Sequence, residues 1–300
     1  MLDAFPSQAR DLGLRAYEGR VDDLSPAGLR RHLELVPDAL DGLAAGLEEV
    51  PAARASVAEC RAFVVDSGFM SLPQDEPPGV EAAPPYLRGA LAFHHAPGPF
   101  DPVPPSAFRY YLTPPLPEWD GERTGRWLAL FEPHILAVCT LHETYPGHHA
   151  QELHLRRAPS RVATALWNDV LGEGWAHYCE EAAFDAGFRA GDPEAEVAMR
   201  TDALVRAARL LCAVGMHTQG MTLEEAAAEF QATAGLDPDH ARLEAARGTW
   251  DPGYFSYTLG KLEILALRDR VGGDLRSFHD RLLATGTPPP AIVARRLLPA

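Results

Sequence analysis

Apolar residues recur at helical intervals along most of the chain. Ser25 and Pro26 supply an N-cap and a first-turn proline for a pattern running to about Val50, and Ala52 to Val65 reads as the next helix. From Pro133 onward the helical period dominates. Ile135, Leu136 and Cys139 form a stripe that His142 extends, which puts His142 at the inner end of a core helix. A helix from about Asn168 to Ala186 carries Glu173 near its start and packs through Trp175, Tyr178 and Ala182. Glu194 to Thr218 reads as one long helix, and Thr222 to Glu225 as the capping box of another. Tyr254 to Val271, Leu275 to Ala284 and Ala291 to Leu298 complete the set.

Between Pro73 and Pro117 lie thirteen of the 27 prolines, so that stretch cannot be continuous helix and must run extended. Phe108 to Leu112 is its one convincing strand, read as an edge strand able to hold an extended substrate through main-chain hydrogen bonds, or else as the closing strand of a small sheet. The chain therefore divides into a helical segment over residues 1–72, a proline-rich extended segment over 73–118 and a helical region over 119–300, together forming one unit. The fold class is mainly α with a very small β element.

Composition narrows the function. With 300 residues and 46% hydrophobic content the chain can bury a full core. A net charge of -15 with no basic patch argues against nucleic acid and against anionic membrane surfaces. Arginine outnumbers lysine 26 to 1, Lys261 standing alone, a bias of a GC-rich genome. Cys60, Cys139, Cys179 and Cys212 are widely spaced in apolar helical contexts, as buried thiols rather than a disulfide frame. Met1 to Leu14 lacks a basic stretch followed by an apolar one, and no segment approaches the ~20 apolar residues of a membrane span. The expected location is cytoplasmic.

Chemistry concentrates in Leu141-His142-Glu143-Thr144-Tyr145-Pro146-Gly147-His148-His149 and in Gly172-Glu173-Gly174-Trp175-Ala176. His142, His148 and Glu173 are a ligand set for zinc, with Glu143 as general base; three protein ligands leave a coordination position for water. The histidine spacing is unusual. On an unbroken helix, residues six apart are separated by about 120° around the axis and roughly 9 Å along it, too far to share an ion whose ligand nitrogens lie about 2.0–2.1 Å away. Pro146 stands at i+4 from His142, where its ring clashes with the His142 carbonyl, and Gly147 permits a positive φ. The helix is expected to break there, with Thr144 to Gly147 bulging as a two-residue expansion that returns His148 to His142. His149 is the weaker candidate, being about 10.5 Å along the axis.

These residues, with Glu-Gly-Trp-Ala-x-Tyr-x-Glu over Glu173 to Glu180, Arg206-Ala207-Ala208-Arg209, Gly215-Met216-His217, Pro252-Gly253, Ser256-Tyr257 and Gly260, resemble the bacterial domain-of-unknown-function 885 family. The similarity runs from about Tyr110 to the C-terminus, through Phe278-His279-Asp280; residues 1 to about 100 match poorly. The resemblance implies a zincin-like helical metallopeptidase fold of the gluzincin-like group, with a glutamate as third ligand. It also places Tyr257 and His217 as rival donors to a developing oxyanion. His177 shares a helical face with Glu173, which makes it either a fourth ligand or a packing neighbour; the family more often has an apolar residue there, favouring the second.

The expected function is zinc-dependent hydrolysis of amide bonds, with a peptide or small amide as substrate. Alternatives are an amidohydrolase acting on a non-peptide metabolite, and a catalytically silent binding scaffold, against which the intact Glu143 argues. Arg206, Arg209, Arg247 and Arg268 are candidate clamps for a substrate carboxylate. His94 and His95 fall outside the resemblance, and His32, His134, His154, His240 and His279 lack partners at ligand spacing.

Overall fold

The computed structural model describes residues 49–298 apart from Asp75 and Gly89. The helix read from Ser25 therefore lies outside the described residues up to residue 48. The first described helix, α1 (Glu49–Ser67), buries Val50, Ala53, Val57, Cys60 and Val64, a spacing that alternates three and four and so keeps one face on the core. The proline-rich stretch after it holds three short strands, β1 (Gly79–Ala82), β2 (Ala92–His95) and β3 (Arg109–Leu112).

Their order is β1-β3-β2, with β1 parallel and β2 antiparallel to β3. Tyr110 and Leu112 of β3 face the core. The expected edge position of the Phe108 to Leu112 strand is thus corrected, because β3 is hydrogen-bonded on both sides. The reading missed β1 and β2, each only four residues long and too short to show a period.

The remainder is helical: α2 (Gly121–Ala129), α3 (Pro133–Glu143), α4 (His148–Leu155), α5 (Arg161–Ala165), α6 (Asp169–Asp185), α7 (Pro193–Thr218), α8 (Leu223–Ala234), α9 (Pro238–Trp250), α10 (Ser256–Val271), α11 (Leu275–Leu283) and α12 (Pro290–Leu297). Start signals set many boundaries. Asp120, Ser160, Asp192, Asp237 and Asp274 each accept a backbone N–H in the first turn of their helices, and Thr222 with Glu225 closes the expected capping box of α8.

Two cores result. One gathers α1, the sheet, α3, α6 and α10 to α12 around Trp175, Tyr178 and Phe278; the other joins α7, α8 and α9 around Phe230 and Tyr254. Helices α6 and α10 cross in close contact at Gly174 and Gly260. A Cβ on Gly174 would lie 2.4 Å from the Gly260 Cα, and one on Gly260 would lie 1.7 Å from the Val170 carbonyl oxygen. That crossing brings Tyr257, one turn before Gly260, against the turn of α6 that carries Glu173. All four cysteines are free thiols. No described helix is long and apolar enough to cross a membrane.

Candidate metal centre

Helix α3 ends at Glu143 and α4 begins at His148, but their hydrogen-bond ladder is displaced rather than lost. The Gly147 N–H donates to the Leu141 carbonyl at 3.0 Å and the Ala150 N–H to the Thr144 carbonyl at 3.1 Å, each across six residues instead of four. Two residues are thereby looped out, and His148 occupies the place that i+4 would have in an ordinary helix. The His142 and His148 rings meet edge to face with centroids 4.8 Å apart. Gly147 serves this bend differently from the expectation of a positive φ. Its φ is -72°, and glycine is required because a Cβ would stand 1.8 Å from the His142 carbonyl oxygen.

Glu173 reaches this pair from α6. Its Oε2 lies 3.4 Å from His142 Nε2 and 3.3 Å from His148 Nε2, within ion-pair distance but off the alignment of a hydrogen bond, and it has no other partner among the described residues. Four ligands arranged tetrahedrally at the bond lengths zinc uses would lie about 3.3 Å apart. The three side chains fit such an ion: their ligand atoms converge within 4.8 Å of one another, and Glu173 Oε2 is buried with no donor aligned on it.

A second layer of charge orients them. His142 Nδ1 donates to Glu180 Oε1 at 2.7 Å, which leaves the Nε2 lone pair for the centre. Glu180 is buried and also receives His177 Nδ1 at 3.1 Å and Arg206 Nη2 at 3.0 Å. Arg206 pairs in turn with Asp202. Burial opposes ionisation of Glu180, but Arg206 and His177 outweigh it and hold its carboxyl well below the usual range. Burial likewise disfavours an imidazolium at His142, yet Glu173 and Glu180 raise its pKa to about 10. A divalent cation would compete with that proton for the same Nε2 lone pair. His177 thus stands behind the site, on Glu180, and is not among the converging groups.

Glu143 follows His142 directly. Its Oε2 accepts the His94 backbone N–H of β2 at 2.7 Å, and burial pushes its pKa up. His94, set aside in the sequence, therefore contributes through its main chain, a role that no side-chain motif could reveal. Its ring stacks on Phe108 at 5.6 Å and lies 6.5 Å from His148, with both nitrogens buried and without a hydrogen-bond partner among the described residues. His149 turns away, its Nε2 donating to the Glu76 carbonyl at 3.2 Å while its ring meets Tyr145 and Phe108 edge-on.

The two oxyanion candidates separate. Tyr257 stacks on His142 with centroids 5.9 Å apart and lies under the guanidinium groups of Arg206 and Arg209. Arg247 Nη2 donates to its hydroxyl at 3.4 Å; arginine only donates, so the phenolic proton has no acceptor among the described residues. His217 is exposed near the end of α7 and bonds the Gly248 carbonyl at 2.9 Å. No bond, ion pair or ring contact joins it to the cluster among the described residues. It lies eleven residues beyond Arg206, about 16 Å along the helix axis.

The arginine clamps are largely engaged already. Arg206 holds Glu180, Arg209 is bidentate to Glu244 at 2.7 and 2.8 Å, and Arg268 donates to the Tyr178 hydroxyl. Arg247 pairs with Asp251 at 2.9 Å and is the most exposed of those in ion pairs. A second His and carboxylate group sets His134 Nδ1 3.4 Å from Asp192 Oδ2 and its Nε2 2.9 Å from Glu194 Oε2, so that the two ring nitrogens face different carboxylates.

Two solved structures resemble this fold. A protein from Shewanella oneidensis, described as "a putative lipoprotein of unknown function", superposes with a TM-score of 0.73 at 26% identity over 83% of this chain and 45% of its own. A "putative lipoprotein" from Colwellia psychrerythraea gives 0.67 at 26% identity over 83% and 42%. The chain thus spans less than half the length of these neighbours. Their description as lipoproteins overturns the expected cytoplasmic location, which had rested on the first fourteen residues and the absence of a long apolar run. No curated protein matches the chain. The profile of bacterial proteins of unknown function designated DUF885 matches residues 46–297, starting well before the Tyr110 expected from sequence and taking in α1 and the proline-rich strands, and the chain belongs to that family.

Proposed function

We propose that this chain is a zinc-dependent hydrolase of amide bonds, of the gluzincin-like kind, acting on small peptides. The observation that carries the reading is the convergence of His142 Nε2, His148 Nε2 and Glu173 Oε2 around a point that no donor among the described residues fills, beside Glu143. His142, His148 and Glu173 would hold the ion, which when bound acidifies a water and polarises a carbonyl. Glu143 is positioned to take the proton of that water and return it to the leaving amine, with the His94 N–H keeping its carboxylate in place. Tyr257 has an uncommitted phenolic proton to offer the carbonyl oxygen as charge develops there. Glu180 holds His142 in the tautomer that presents Nε2.

The sheet supplies a place for an extended substrate. The Thr113 N–H bonds the Leu91 carbonyl, so residues 91, 93 and 95 face β3 and the main-chain groups of Ala92 and His94 point outward. β2 is one of the two edges of the sheet, and its outward His94 N–H already reaches Glu143. A peptide could add there as a further strand.

The test is metal analysis of purified protein joined to digestion of a mixed-peptide library read by mass spectrometry, with Glu143→Gln as control. About one zinc per chain, new cleavage products from wild type, and zinc without products from Glu143→Gln are expected. Protein devoid of zinc, or equal turnover by Glu143→Gln, would overturn the reading.

A further inference from the structure

An exposed tryptophan is fixed beside the candidate ligands. Trp167 lies in the short link between α5 and α6, is 40% exposed, and has its ring centroid 6.3 Å from that of His148. Two contacts hold it. Its Nε1 donates to Asp169 Oδ1 at 2.9 Å, and its six-membered ring lies so close over Gly172 that a Cβ there would meet Cζ2 at 2.4 Å. Gly172 immediately precedes Glu173, so one turn of α6 carries both a ligand and the seat for the indole. Val162 of α5 and Leu166, the residue that ends it, are exposed just before Trp167. Leaving a large aromatic surface open to water gains nothing from burial, and an unneeded one has no reason to be pinned from two sides.

We infer that Trp167 is the wall of an apolar subsite that selects a large aliphatic or aromatic side chain on a residue flanking the cleaved bond. This rests on the amide-hydrolase reading above. Adjacent Cα atoms are about 3.8 Å apart, so a side chain one residue from a carbonyl held at the cluster falls against a ring at this distance. Aromatic stacking and exclusion of water from the open indole face supply the preference.

The experiment compares kcat/KM for peptide pairs that differ only in Phe against Ala beside the scissile bond, in wild type, Trp167→Ala and Trp167→Phe. Wild type should prefer Phe, Trp167→Ala should lower the Phe-to-Ala ratio about tenfold or more, and Trp167→Phe should restore most of it. Alongside, calorimetry on zinc-loaded protein compares 3-phenylpropionohydroxamate with acetohydroxamate; the tighter binding of the aryl compound should shrink by a similar factor in Trp167→Ala. Peptide hydrolysis with a ratio unmoved by Trp167→Ala overturns the subsite and leaves the hydrolase standing. An aryl preference lost in Trp167→Ala, without any peptide cleavage, upholds the subsite and sinks the peptidase. Absence of both cleavage and an aryl preference overturns both.

Discussion

His142 Nδ1 lies 2.7 Å from Glu180 Oε1, a buried bond between two helices that fixes which nitrogen of the imidazole faces the candidate metal. The same carboxylate meets His177 and Arg206, so three side chains from α3, α6 and α7 are locked around one anion. Glu180→Gln keeps the shape but removes the charge and offers His142 a weaker acceptor. Zinc affinity, measured by competition with a chromogenic chelator, should fall about 10- to 100-fold while circular dichroism stays that of a folded protein. Unchanged affinity would show that Glu180 has no part in holding the ligand.

Gly147 tests the looped-out bend itself. With a Cβ facing the His142 carbonyl oxygen at 1.8 Å, Gly147→Ala cannot keep both the six-residue hydrogen bonds and the position of His148. We expect zinc retention to be lost and unfolding stability to fall by about 3 kcal/mol. Gly121→Ala, on an open surface at the start of α2, is the matching control and should leave both unchanged. A fully metallated Gly147→Ala protein would refute the geometry of the bend.

Much of the candidate site was legible because the signals were local. Pro146 had to interrupt α3, and the six-residue gap between His142 and His148 then made sense only as a looped-out turn. Glu173 was findable because Gly172-Glu173-Gly174 opens a helix with a clear apolar face. What stayed hidden depends on tertiary contact: the partner of Glu143 is a main-chain N–H, Glu180 differs from any buried-helix glutamate only through what surrounds it, and Gly174 and Gly260 show their purpose only where α6 crosses α10. The strands β1 and β2 were missed because four residues among prolines carry no period, and with them went the fact that β3 is central.

Tyr257 and His217 were rival candidates in the sequence and are unequal in space. Tyr257→Phe retains the ring that stacks on His142 and removes the proton that has no acceptor among the described residues. It should lower kcat by about 10²- to 10³-fold with KM and zinc content little changed, since the donor acts where charge develops. His217→Gln, which replaces a ring whose Nε2 bonds the Gly248 carbonyl, should keep wild-type kcat. A steady-state comparison of the two variants decides the assignment, and the opposite ranking would move the oxyanion donor to α7.

The last prediction concerns acid stability and lies away from the candidate metal centre. His279 is fully buried on α11, where its Nδ1–H donates to the Phe69 carbonyl at 2.8 Å and its Nε2 accepts the Tyr178 hydroxyl at 2.9 Å; that hydroxyl oxygen accepts in turn from Arg268 at 3.2 Å. Every proton in this chain is assigned, and a second proton on His279 would set Nε2–H against the Tyr178 O–H. Burial, which outweighs the bond to the Phe69 carbonyl, lowers the His279 pKa to about 4. The unfolded chain, with an ordinary value near 6.5, binds more protons between pH 4 and 6.5, so stability rises with pH across that window. It is complete above pH 6.5 and is lost as pH falls through the window, by on the order of 3 kcal/mol for a shift of this size. Urea unfolding from pH 4 to 7 should show this slope in wild type, whereas His279→Gln, able to donate to Phe69 and accept from Tyr178 without titrating, should be less stable at neutral pH and flatter across the same range. Equal slopes in the two proteins would mean that acid lability arises elsewhere.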